Sequence, residues 1–240
     1  MKFGVFYEFQ LPRPWTERSE YDLLRNALDQ IELADQLGYD YAWEVEHHFL
    51  EEYSHSSAPE VFLGAASQRT KNVRLGHGVV QLPTNHPARV VERVSTLDLL
   101  SNGRVELGLG EGSTPTEIHP FGRRVREKRF VWEEAVQAMI PMFTKERFEF
   151  HGEYFDFPVR NVIPKPYQKP HLAAPVLCGS ARVPVRRHSP DGCGRHGSSS
   201  RCREPQDRPG GGGHIRRRRR RLGTRHTSRR GRRHALRATP

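Results

Sequence analysis

Cysteine and aromatic residues are each missing from one part of this 240-residue sequence. Residues 1–171 contain no cysteine, which excludes a disulfide framework there, and residues 172–240 contain none of the 12 Phe, 3 Trp and 7 Tyr. The first part holds 20 Lys and Arg against 25 Asp and Glu, whereas the second holds 19 Arg, no Lys and 3 acidic residues. We therefore expect a mildly acidic globular domain at 1–171, followed at 172–240 by a disordered Arg/Gly/Pro-rich tail without a core.

Long apolar runs and secretion signals are also missing. The sequence contains no run of about 18 apolar residues, so it predicts no membrane-spanning helix. The opening MKFGVFYEF lacks the charged start and the long apolar segment of a signal peptide. We expect a cytoplasmic protein that makes no contact with a membrane.

The apolar pattern predicts four strand–helix units. Strands are predicted at 2–9, 39–45, 73–82 and 104–110, and helices at 19–37, 59–70, 86–100 and 125–143. The first helix begins at Ser19 with a capping-box-like Asp22 and stops at Gly38, and the third turns Val90, Val94, Leu97 and Leu100 inward. An aromatic hairpin is expected at 148–157.

This alternation predicts an α/β fold with a parallel sheet, as an open doubly wound sheet or as half of an eight-fold barrel. The first strand–helix turn has no G-x-G-x-x-G, which disfavours a dinucleotide-binding doubly wound fold. The glycines after the fourth strand are not followed by Gly-Lys-Ser/Thr, so a phosphate-loop NTPase is disfavoured as well.

Candidate chemistry lies at Glu46-His47-His48, where the second strand ends. Ligands bind at the carboxyl ends of strands in parallel α/β folds, and a carboxylate next to a histidine can set its tautomer. The alternative is an ordinary polar loop. A metal site is not expected, because neighbours on a strand point to opposite faces and no third ligand is suitably spaced.

Two further positions lie at the same expected rim. Gly78, inside the third strand, is a place where backbone can approach a ligand closely, or where a tight packing layer needs a small residue. Glu111 ends the fourth strand, but exposed glutamates are common, so its position alone is weak evidence.

Six short motifs, in order along residues 1–171, resemble the bacterial luciferase-like flavin monooxygenase family. They are Lys2-Phe3-Gly4, Leu37-Gly38-Tyr39-Asp40, Trp43-x-x-Glu46-His47-His48-Phe49, Leu82-Pro83-Thr84-x-His86-Pro87, Leu97-Asp98-x-x-Ser101-x-Gly103-Arg104 and Phe121-Gly122. Each is weak by itself, but their order and spacing together are specific.

The resemblance implies that this stretch is the first half of a (β/α)₈ TIM barrel, and that the chain is a truncated flavin-dependent oxidoreductase. Such an enzyme uses reduced FMN, or a deazaflavin in some relatives, with O₂ to oxidise a small organic substrate such as an aldehyde. A separate flavin reductase and a dimer are implied as partners.

The roles implied by the resemblance fall on five residues. His47 matches the catalytic histidine, and Glu46 a residue beside the flavin ring. Gly78 and Val79 match the pair that supports the ring through a non-proline cis peptide. Glu111 stands where luciferase has an arginine near the flavin phosphate, which leaves the choice between FMN and a deazaflavin open.

The sequence after His171 predicts no strand or helix, and so leaves the fourth strand with an unpaired edge. Residues with AT-rich codons appear there once, as Ile215, which favours a frameshift in a GC-rich gene. An arginine-rich arm that binds nucleic acid non-specifically is the alternative. A third hypothesis is a partner subunit without chemistry of its own, which the Glu46-His47 pair disfavours.

Overall fold

The computed structural model of the chain describes residues 1–169 and 176–178. The predicted disorder of the tail at 172–240, the frameshift and the nucleic-acid-binding arm concern residues that, apart from 176–178, lie outside the described part of the chain. They stay predictions.

Five parallel strands form one sheet, in the order in which they follow one another along the chain. They are β1 (Gly4–Tyr7), β2 (Tyr41–Glu44), β3 (Arg74–Gln81), β4 (Val105–Gly110) and, after a two-stranded hairpin, β7 (Val176–Cys178). A doubly wound sheet reverses its strand order at a switch point, whereas a barrel adds each strand beside the previous one. The sequential order therefore confirms the predicted first half of an eight-fold barrel.

The helices cover one face of this sheet. They are α1 (Ser19–Gln36), α2 (Pro59–Arg69), α3 (Pro87–Leu100), the short α4 (Pro115–Ile118) and α5 (Lys128–Met142). Gly38 follows α1 with φ of +80°, which confirms the expected C-terminal glycine. The capping role of Ser19 is wrong, because Arg18 precedes the helix and the Ser19 hydroxyl accepts from the Thr16 backbone N–H at 2.8 Å.

The hydrophobic core lies between the sheet and the helices. Leu75 of β3 and Leu107 of β4 are buried there against Ile31, Leu63 and Val94. Leu100 does not join them, and the prediction that it points inward is wrong, since it is 54% exposed. At 3.6 residues per turn it lies roughly 80° around α3 from Val90.

The opposite face of the sheet carries side chains of alternate residues. A Cβ added to Gly76 would lie 2.2 Å from the Trp43 ring, and one added to Gly78 would lie 3.2 Å from Phe6. Side chains alternate between the faces of a strand, so these residues share the face that points away from the helices. In a closed barrel this face is the interior.

The predicted unpaired edge of β4 is wrong over its last three residues. β7 pairs with β4 in parallel, from Gly108 with Val176 to Gly110 with Cys178. Three residues are too few to show a period in sequence.

The predicted hairpin is confirmed. It consists of β5 (Phe148–His151) and β6 (Asp156–Arg160), which pair antiparallel. Among the described residues, no helix has the length and apolarity that crossing a membrane requires.

Candidate active site at the carboxyl end of the sheet

Loops that follow β2, β3 and β4 meet at the carboxyl edge of the sheet. They bring together side chains that are far apart in the sequence, above all His47, Gln81 and Glu117, which are joined by hydrogen bonds. In parallel barrels this edge carries the chemistry, because the loops can vary there while the strands hold their positions.

His47 is paired with Glu117. Its Nδ1 lies 2.8 Å from Glu117 Oε1, and the glutamate is fully buried. Glu117 also accepts from Gln81 Nε2 at 2.7 Å and from Thr114 Oγ1 at 2.9 Å. Burial by itself would raise the pKa of Glu117, but the hydrogen bonds from His47, Gln81 and Thr114 outweigh it and hold that pKa below its ordinary value.

The charge state of Glu117 fixes the tautomer of His47. An ionised carboxylate only accepts hydrogen bonds, so Nδ1 of His47 must carry a proton. This leaves Nε2 as the ring nitrogen that Glu117 does not engage. A neutral imidazole held in this way can accept a proton at Nε2 and return it, which is the usual arrangement of a general acid–base histidine.

Glu46 is hydrogen-bonded to the other histidine, His48. Its Oε1 accepts from His48 Nε2 at 2.9 Å and from Asn85 Nδ2 at 2.8 Å, and its Oε2 accepts from the Gln81 backbone N–H at 3.0 Å. The expectation that Glu46 orients His47 is therefore wrong. Residues two apart in extended chain point to the same side and adjacent residues point to opposite sides, so Glu46 meets His48.

Sequence reasoning missed Glu117, which lies 70 residues from its histidine. A signal was present, since Thr114-x-x-Glu117 is a capping-box pattern at the start of a helix. The Thr114 hydroxyl does accept from the Glu117 backbone N–H, at 3.4 Å. Thr114 also donates to Oε2 of the glutamate, and Oε1 is the oxygen that pairs with His47.

Gly78 and Val79 are joined by a cis peptide bond, as predicted. The pairing of β3 with β4 shifts between His77 and Val80, around this bond. On the inner face, Gly78 lies beside Phe6, which is 56% exposed, and beside the ring of Trp43. The absence of a side chain at Gly78 leaves backbone and two aromatic rings accessible to a flat ligand.

Glu111 lies at the end of β4 without a part in either histidine pair. Its nearest charged partner is Lys128, with Oε1 and Nζ 3.7 Å apart, and Lys128 also donates to the Gly112 carbonyl oxygen at 2.7 Å. In the described part of the chain, no group of three or more His, Cys, Asp or Glu side chains is arranged to hold a metal ion.

Sequential parallel strands with polar pairs at their carboxyl ends define a barrel-type α/β enzyme fold. The sequence profile of the family described as luciferase-like monooxygenase matches residues 1–187, so the chain belongs to this family. The match continues past His171, where the sequence resemblance was expected to end, and it includes β7.

Two curated relatives and one solved structure illustrate the likeness. The chain is 29% identical over 191 residues to the oxygenase component of a flavin-dependent trigonelline monooxygenase from Acinetobacter baylyi, covering 77% of this chain and 50% of that protein. It is 31% identical over 186 residues to an F420-dependent glucose-6-phosphate dehydrogenase from Amycolatopsis mediterranei, with coverages of 74% and 53%.

The structural relative is a monooxygenase from Streptomyces bottropensis. It superposes with a TM-score of 0.67 at 32% identity, over 74% of this chain and 52% of that one. The chain thus spans about half the length of the relatives it matches.

Proposed function

We propose that this chain carries the proton-transfer and ring-binding part of a monooxygenase that uses a reduced flavin and O₂ to oxidise a small organic substrate. The observation that carries the proposal is the His47–Glu117 pair, a buried carboxylate 2.8 Å from an imidazole at the carboxyl edge of a barrel-type sheet. Family membership supports the reaction class, because the relatives named above are flavin- or F420-dependent oxidoreductases or a monooxygenase.

His47 is the catalytic residue in this proposal. Glu117 holds its Nδ1–H and keeps the ring in one orientation, so that Nε2 can take a proton from the reacting centre and give it back. Because the side chain of His47 is 20% exposed, it lies near the surface of the rim and can reach a bound molecule. Glu46 acts on His48, whose ring packs edge-on against Phe121 with centroids 4.9 Å apart.

The inner face of the sheet fits a flavin ring. Gly78 and Val79 present backbone there, and Phe6 and Trp43 supply flat apolar surface against which a planar ring system can pack. When bound, a reduced flavin supplies the electrons with which O₂ is activated. Glu46 lies at the same edge, and the nearby Glu111 disfavours a phosphate unless Lys128 offsets its charge.

Reduced FMN is the proposed cofactor, with a deazaflavin as the alternative. The names of the two curated relatives point to one cofactor each, a flavin and F420. The relative named an oxygenase component supports delivery of reduced flavin by a separate reductase. The proposal includes a dimer, as the family resemblance implies.

The test is substitution of each rim histidine in the full chain. Turnover is measured with photoreduced FMN, O₂ and decanal as the probe aldehyde, and reduced-FMN affinity by anaerobic fluorescence titration. His47→Ala should lower turnover by about 10²–10⁴-fold with little change in affinity, since it removes a general acid–base group.

His48→Ala is the matched control, because it removes an adjacent imidazole that has its own carboxylate. It should leave turnover within about tenfold of wild type. Equal effects of the two substitutions, or a wild-type chain that forms no product, would contradict the proposal.

A further inference from the structure

A cavity of about 380 Å³ lies beside the candidate active site. It is bounded by the loop after β3, the loop after α4 and the β5–β6 hairpin. The side chains that give it chemical character are His86, Phe121, Arg123, Tyr154, Phe155 and Asp156. None of them belongs to the inner sheet face at Gly78, and none is used by the proposed reaction.

Arg123 gives the cavity a positive charge. Its guanidinium carbon lies 5.4 Å from the centre of the Phe155 ring and 5.9 Å from that of Tyr154. Among the described residues, no carboxylate lies within 4.0 Å of its nitrogens, whereas Arg93 and Arg129 both have such partners. A guanidinium that lies over a ring can still donate hydrogen bonds from the N–H groups in its own plane to a carboxylate.

His86 adds a neutral hydrogen-bond donor. Its Nδ1 accepts from the Ala88 backbone N–H at 3.2 Å at the start of α3, so a neutral ring carries its proton on Nε2. Burial lowers the pKa of His86, and the charge of Arg123 lowers it further despite the opposing effect of Glu92. The ring therefore stays uncharged near neutral pH and can donate from Nε2.

Among the described residues, Asp156 is the one acidic side chain of the cavity wall. Its Oδ1 accepts from His151 Nδ1 at 2.5 Å, and this hydrogen bond raises the pKa of His151. The carboxylate of Asp156 is thus drawn toward the exposed His151. With Asp156 paired to His151, Arg123 is the charge left to bind a ligand anion, and one guanidinium matches one carboxylate.

The remaining walls are aromatic. Phe121 is 41% exposed and Phe155 is 5% exposed, and the latter packs edge-on against His86 with centroids 5.8 Å apart. A flat ligand ring can lie against the exposed ring of Phe121, while the buried Phe155 supports Arg123 from behind. From this combination we propose that the cavity is a binding site for an aromatic carboxylate, with the carboxylate on Arg123 and the ring against Phe121.

The cavity shares walls with the histidine pairs. Asn85, which lines it, donates to Glu46, and Phe121 packs on the ring of His48. A ligand in this site therefore lies next to the rim without occupying the proposed flavin surface. Binding can be measured with no flavin present, so the result does not depend on the proposed function.

The experiment is isothermal titration of the full chain with benzoate. Arg123→Gln should weaken binding by about tenfold or more, since it removes a charge-assisted hydrogen bond. Arg126→Gln is the matched control, because it removes an exposed arginine of the same segment, and it should bind as wild type does. Arg123→Lys keeps the charge but loses the two parallel N–H groups of the guanidinium. Its affinity for benzoate should lie between those of Arg123→Gln and the wild-type chain.

Two further probes test the ligand class. Benzamide, which has the ring without the charge, should bind about tenfold more weakly than benzoate. Inorganic phosphate should not compete with benzoate, since it lacks the ring. Equal melting temperatures of the arginine variants exclude a folding defect. Benzoate binding that is unchanged in Arg123→Gln, equal binding of benzamide, or no saturation in the millimolar range would overturn the proposal.

Discussion

Buried glutamates lie near histidines in two regions of this molecule, with opposite consequences for their charge. At the rim, Glu117 is fully buried but accepts several hydrogen bonds, and its pKa is lowered. On the helix-covered face, Glu44 of β2 and His77 of β3 are register partners, 2% and 1% exposed. There Glu44 Oε2 and both ring nitrogens of His77 have no hydrogen-bond partner among the described residues.

Burial decides the charge of Glu44 and of His77. It raises the pKa of Glu44 to about 9, although Ser56 Oγ donates to this carboxyl at 2.7 Å, and it lowers the pKa of His77 to about 4. Both are therefore uncharged near neutral pH. The comparison shows that hydrogen bonds, and not residue type or burial, decide whether a buried carboxyl group of this chain keeps its charge.

The largest effect should come from breaking the rim pair at its carboxylate. Glu117→Gln removes the charge that fixes the His47 tautomer while keeping the side-chain shape. We expect turnover to fall by about 10²-fold or more, toward the loss expected for His47→Ala. The measurement is a pH–rate profile, because loss of a positioning carboxylate shifts the profile whereas a packing defect lowers it evenly.

Glu133→Gln is the control for this substitution, since it removes a partly exposed carboxylate of α5 that contacts neither histidine. An unchanged profile in Glu117→Gln would show that the carboxylate does not act through His47.

Local patterns predicted the fold well because they act over few residues. Strand bounds and the glycine after α1 follow from short-range periodicity and turn chemistry. The choice of a barrel half over a doubly wound sheet came from the family resemblance. The partner of His47 could not be found that way, because Glu117 approaches it only when β2 and β4 are brought to one edge. The short β7 was missed for a different reason, since three residues carry no periodicity.

The next prediction concerns how stability depends on pH through Glu44 and His77. Above pH 6.5 the folded chain keeps a proton on Glu44, with its pKa near 9, that the unfolded chain has released at 4.5. The free energy of unfolding should therefore fall as pH rises toward 9, by up to about 1.4 kcal/mol per pH unit. Below 6.5, His77 acts in the opposite direction and offsets this slope, since only the unfolded chain protonates it until pH nears 4.

Urea denaturation at several pH values measures this slope. Glu44→Gln should abolish this fall in stability, because the amide does not titrate. Glu133→Gln, at a partly exposed position of α5, should leave the fall unchanged. A wild-type chain whose stability rises between pH 7 and 9 would show that Glu44 is ionised in the fold.

His77 should be replaceable at little cost. Neither ring nitrogen has a hydrogen-bond partner in residues 1–169 and 176–178, so His77→Leu removes two unsatisfied polar atoms from the core. We expect the free energy of unfolding to change by no more than about 1 kcal/mol, or to increase. His77→Ala, which leaves a cavity instead, should destabilise by roughly 2 kcal/mol or more. A large loss in His77→Leu would reveal a hydrogen bond that the imidazole makes in solution.

The smallest effect is expected at Glu111, a rim carboxylate that contacts no histidine among the described residues. Glu111 stands 3.7 Å from Lys128, and both side chains are partly exposed, at 28% and 21%. Such a pair contributes about 1 kcal/mol or less. In Glu111→Gln the ammonium of Lys128, held at the rim by its bond to the Gly112 carbonyl, becomes available to a phosphate.

Reduced FMN should then bind up to about fivefold more tightly to Glu111→Gln than to the wild-type chain. Reduced riboflavin, which has the same ring but no phosphate, should bind equally to both, and the double variant with Lys128→Met should lose the gain. Anaerobic titration of the two flavins provides the comparison. If the affinity for riboflavin rises as much as that for FMN, Glu111 acts on the flavin ring and not on the phosphate. Glu111 would then belong with Glu46 beside the ring.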